Sequence, residues 1–171
     1  MMSRYFKVLL STVLPLVVAA GLSAAEFELP ARQPGLWDVK IVMGPDLPPM
    51  SMQMCLDETS DRQMMQQGMA MSEGMCSEIS THREGDGFVV ESTCNIEGGV
   101  TRTRATITGD FQSAYRMDIV SDREGGNASI PKHTEMTHEG THQGACGKNM
   151  VPGDIIVMGR KMNILKMRGG G

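Results

Sequence analysis

Two patterns in this sequence bring together residue types that can do chemistry. Met50, Met52 and Met54 alternate along one short segment, and eight methionines fall between Met50 and Met75. Thioether sulfur is a soft ligand that suits Cu(I), and an extended strand would present all three side chains on one face. The same alternation fits ordinary packing. Methionine adapts to irregular cores, and this chain has only one Trp, four Phe and two Tyr to fill its own. Packing is the preferred reading, with a soft-metal site at Met50, Met52 and Met54 as the alternative. The second pattern, His138-Glu139-Gly140-Thr141-His142, matches the zinc motif H-E-x-x-H. That motif works on a helix, where residues i and i+4 share a face beside the bound water. Thr137, Gly140, Thr141 and Gly144 disfavour a helix here. On a strand the two histidines would stand about 13 Å apart, too far for one zinc. A zinc hydrolase using His138, Glu139 and His142 is therefore the weakest functional reading. No nucleophile elbow, phosphate-binding loop or dinucleotide glycine motif is present, and neither catalytic residues nor a cofactor are expected.

The compartment follows from the first residues. Arg4 and Lys7 precede an apolar run from Val8 to Leu22, and Ser23-Ala24-Ala25 then lead to Glu26. This is the pattern of a secretory signal peptide over 1–25, cleaved after Ala25. The run is short and contains Pro15, which argues against a stable membrane anchor. A periplasmic or secreted protein is expected, with one β domain at 26–147 and a basic tail at 148–171. All four cysteines lie after the expected cleavage point, and an even number in an exported chain reads as two disulfides. Three pairings of Cys55, Cys76, Cys94 and Cys146 are possible. The sequence does not choose among them, and we expect Cys55–Cys76 with Cys94–Cys146. No C-x-x-C pair supports a metal site instead.

Charge narrows the partners. Residues 26–146 carry 9 Lys and Arg against 19 Asp and Glu, which argues against nucleic acid. Residues 147–171 carry five basic residues and one acidic residue, Asp154. Such a tail could lie on a membrane surface, but Gly153 and Gly159 interrupt a helix, and a closing strand at 154–158 is preferred.

The elements that must position these residues are mostly strands. Trp37, Val39, Ile41 and Met43 alternate within Leu36–Met43, and Met50, Met52 and Met54 alternate in the next strand. Asp57 to Gln67 is helix-compatible and is expected to close at Gly68. Strands are then predicted at Cys76–Glu84, Phe88–Asn95, Val100–Thr108, Phe111–Ser121 and about Lys132–Gln143. Gly85-Asp86-Gly87 provides hairpin chemistry between the first two of these, and the closing Gly169-Gly170-Gly171 is expected to be disordered. The expected class is all-β, an antiparallel sandwich or small barrel with one short helix and two disulfides.

At this point the chain resembles a known family. Pro34-Gly35-Leu36-Trp37 opens the domain, a Met- and Pro-rich loop leads to Met54-Cys55-Leu56, and a short acidic segment precedes Cys76. Alternating strands then end near Gly144-Ala145-Cys146. This order resembles the secreted proteobacterial family called domain of unknown function 3617, over about residues 33–147. The resemblance implies an exported, disulfide-bonded β domain and brings no assigned activity or site residues. Gly35-Leu36-Trp37 also resembles the opening of lipocalin-type barrels, which would imply a cavity for a small apolar ligand. A Trp plugging one end of the core is the preferred account of it. The functional expectation is a non-enzymatic role in binding or envelope maintenance, with an envelope protein or a small ligand as partner.

Overall fold

A computed structural model describes residues 29–44 and 47–166. The expected signal peptide and the closing glycines lie outside these residues. The described elements are β1 (Gly35–Met43), β2 (Met50–Leu56), α1 (Glu58–Glu73), β3 (Cys76–Glu84), β4 (Gly87–Ile96), β5 (Gly99–Gly109), β6 (Ala114–Gly125), β7 (His133–Gly144), β8 (Asp154–Val157) and β9 (Arg160–Asn163). The strands form one antiparallel sheet in the order β3-β4-β5-β6-β7-β1-β2-β8-β9. The all-β expectation holds, with its single helix and two disulfides.

One face of this sheet holds the core. Trp37, Val39 and Ile41 on β1 are buried and stand opposite Met54, Met52 and Met50 on β2. Phe88 on β4, Ile107 on β5 and Tyr115 on β6 join the same cluster. The helix crosses this face from the end of β2 to the start of β3, which are six places apart in the sheet. Six strand spacings are about 29 Å, whereas a 16-residue helix is about 24 Å long. Asp57, Gly74 and Met75 add about 10 Å to the connection, so it reaches across the face with α1 lying over the sheet.

Local chemistry explains where α1 begins. Asp57 accepts the Ser60 N–H at 2.7 Å, and Ser60 Oγ accepts the Asp57 N–H at 2.8 Å, a reciprocal cap. Arg32 then clamps the first turn. Its Nε donates to Asp61 Oδ1 at 2.7 Å and its N–H to Asp61 Oδ2 at 2.9 Å, with Asp61 only 1% exposed. The helix does not close at Gly68 as expected but runs to Glu73, with Gly74 as its cap. A mid-helix glycine costs about 1 kcal/mol, which the methionine contacts of α1 with the sheet can offset.

The disulfides overturn the expected pairing. They join Cys55 to Cys146 and Cys76 to Cys94. Cys55 and Cys76 are neighbours in sequence, but α1 carries the chain across the sheet between them. Cys76 instead faces Cys94 directly in the β3–β4 hairpin. Cys55 on β2 and Cys146 just after β7 bracket β1, and their bridge spans its first residues. Two further differences are local. Phe111 is not in a strand: its backbone is left-handed (φ 59°), and β6 starts at Ala114. The tail supplies the expected strand, β8 on β2, and also a second one, β9.

Candidate functional site

Between α1 and the sheet lies an open cleft of about 740 Å³. From α1 it is lined by Met64, Met65, Gly68 and Met69, and from the sheet by Val90, Ala105, Ile107 and Met117, with Ile79 and Thr81 at its β3 side. The helix contributes methionines because its sheet-facing side needs long unbranched side chains to reach across a wide gap. The lining is mainly apolar, and the volume lies within the usual range for small-molecule sites of about 300–1,000 Å³. A second hollow of about 900 Å³ lies over β3–β6, where Glu91, Arg102, Arg104 and Asp122 stand among serine, threonine and apolar side chains. Its cations are already used within the protein: Arg104 pairs with Glu84 and Glu91, and Arg102 pairs with Glu124. Arg104 holds the Glu84 carboxyl below its ordinary pKa. The apolar cleft is the better candidate for taking up a ligand.

The methionine segment lies on the core face. Met54 is 2% exposed and stands opposite Trp37, while Met50 and Met52 are half-buried against the same core. Alternate residues on a strand are about 7 Å apart, so the three sulfurs start from well-separated positions.

The H-E-x-x-H residues lie on strand β7, not on a helix. His138 and His142 share the core face, where their partners on β1 are Ile41 and Trp37. The His142 ring packs on Trp37 with centroids 5.4 Å apart, and its Nε2 lies 3.1 Å from the Pro34 carbonyl oxygen. Glu139 is on the opposite face, paired with Arg116 at 2.6 Å. The three residues cannot share one zinc ion. Among the described residues, no three His, Cys, Asp or Glu side chains are grouped to hold a metal.

His138 has a different neighbour, which sequence reasoning missed. Its Nε2 lies 3.0 Å from Met136 Sδ, two residues earlier on the same strand. Burial pushes the His138 pKa below its ordinary value, which favours the neutral imidazole. The signal in the sequence is the Met136-x-His138 alternation on a strand, which shares His138 with the zinc motif. Between His138 and His142, Gly140 lets the Tyr115 ring lie directly on the β7 backbone, because a Cβ there would overlap that ring.

A family model described as "Protein of unknown function (DUF3617)" matches residues 32–146. No curated protein and no solved structure matches the chain.

Proposed function

The chain belongs to the DUF3617 family, and from that premise we propose that it is an exported, non-enzymatic domain that works by binding a small apolar ligand in the cleft under α1. The cleft carries this reading: a mainly apolar hollow of about 740 Å³ between a methionine-lined helix and the sheet. Methionine suits such a site because its side chain can repack around ligands of different shape. Export is supported by the basic start, apolar run and small residues before Glu26, and two disulfides fit an oxidising compartment such as the periplasm.

Native mass spectrometry of the protein released from the periplasm would show whether an apolar molecule copurifies. Binding of the fluorophore 1-N-phenylnaphthylamine tests the site itself. Gly68→Phe should fill the cleft from the helix side, since a side chain there meets nothing within 4 Å at its Cβ. Probe binding that falls at least about tenfold in this variant, with an unchanged melting temperature, supports the assignment. Equal binding by the wild type and Gly68→Phe refutes it.

A further inference from the structure

We propose that His138 and Met136 are the anchors of a soft-metal site for Cu(I), completed by Met117 and Met43 on the neighbouring strands. This site is separate from the alternation of Met50, Met52 and Met54, and it arises from the register of three strands. β7 lies between β6 and β1. Met117 on β6 stands directly opposite His138, and Met43 on β1 directly opposite Met136. The four residues therefore form a zigzag on the core face, with one imidazole and three thioethers. Directly opposed residues in a sheet are about 5 Å apart, so Met117 lies beside His138 and Met43 beside Met136, each within reach of an ion held between the two anchors. His138 Nε2 lies 3.0 Å from Met136 Sδ, which already places nitrogen and sulfur side by side.

The surroundings select a soft ion. The other residues of this face at the same level are Ile41 and Ile119, which offer no ligand atoms. The nearby carboxylates lie on the opposite face, where Arg116 pairs with both Asp118 and Glu139. A site of thioethers and one imidazole, without carboxylate, suits Cu(I) and disfavours magnesium, calcium and manganese. All four cysteines are in disulfides, so no thiolate competes for the ion. Met43, Met117, Met136 and His138 are each half-buried, so the site is sheltered but reachable. Without metal, the Nε2–H donates to the Met136 sulfur. Binding the ion through Nε2 moves that proton to Nδ1, so the imidazole stays neutral and no net proton is released.

The test is Cu(I) titration of the full oxidised protein against a chromogenic chelator such as bathocuproine disulfonate. One equivalent of Cu(I) should bind, and His138→Gln or Met136→Leu should each weaken it at least about tenfold, as loss of even an outer-sphere partner commonly does. Met52→Leu should leave affinity unchanged. X-ray absorption of the wild-type Cu(I) complex gives a readout that does not depend on a variant folding: a mixed nitrogen and sulfur shell is expected. The proposal is overturned by an all-sulfur shell, by retained affinity in both variants, by loss with Met52→Leu instead, or by no Cu(I) binding tighter than micromolar.

Discussion

Removing the two disulfides separately should cost unequal amounts of stability. The Cys55–Cys146 bridge closes a loop of 91 residues and Cys76–Cys94 one of 18. Loop-closure entropy gives about 4.6 kcal/mol for the first and about 3.2 kcal/mol for the second. Packing acts in the same direction, because Cys55 is fully buried and its replacement also loses contacts. The difference of about 1.4 kcal/mol is a tenfold change in the folding equilibrium. At a urea m value of about 1.4 kcal/mol/M, it appears as about 1 M between the unfolding midpoints of the Cys55→Ala/Cys146→Ala and Cys76→Ala/Cys94→Ala proteins. The lower midpoint should belong to the variant lacking the long-range bridge. Coincident midpoints, or a weaker Cys76→Ala/Cys94→Ala protein, would refute the loop argument. Peptide mapping of the oxidised wild type is the companion control, and a linked Cys55–Cys76 peptide would refute the pairing itself.

Three further outcomes follow from the packing. Gly140→Ala should destabilise by about 1–3 kcal/mol in urea, since the new methyl meets the Tyr115 ring; Tyr115→Leu in the same chain should recover part of the loss. Asp61→Ala should cost about 3–5 kcal/mol by leaving the partly buried Arg32 without its carboxylate, and a loss below about 1 kcal/mol would show that the pair is not desolvated. Asp110 accepts hydrogen bonds from the N–H and the hydroxyl of Ser113 and from the N–H groups of Ala114 and Gln112, which hold its carboxyl well below the usual range. Its folded-state pKa is depressed, so its contribution is present above about pH 4 and fades as pH falls below that value. Asp110→Ala should therefore lower the melting temperature at pH 7 and narrow its gap to the wild type at pH 2; a gap that is the same at both pH values counts against this.

What could be read from the sequence was local, and what could not was relational. The alternation of Trp37, Val39 and Ile41 gives β1 and its buried face, and Gly85-Asp86-Gly87 marks the β3–β4 hairpin with β3 bounded as expected. Strand order is different, because it depends on where α1 delivers the chain. Sequence nearness therefore misdirected the cysteine pairing: Cys94 is 18 residues from Cys76, yet the same nearness fails for Cys55. Gly68 looked like a helix end because propensity is a weak signal, and contact with the sheet outweighed it. The His138–Met136 pair was half legible, since both residues fall on one face of any strand. Their partners Met117 and Met43 come from the β6-β7-β1 register, which no local pattern states. The Arg32–Asp61 clamp joins residues 29 apart and left no motif at all.

Among the described residues, β3 and β9 each pair on one side only, so the sheet ends in two open edges. An open edge is a template for another chain to add to. Both edges here are poor templates. β9 is only four residues long and carries Arg160 and Lys161, while β3 carries Glu78, Arg83 and Glu84 along its length. Short length and charge are the features that discourage edge-to-edge aggregation. The basic tail thus has a use that needs no partner: it ends the sheet with like charges that repel a second copy of the same edge.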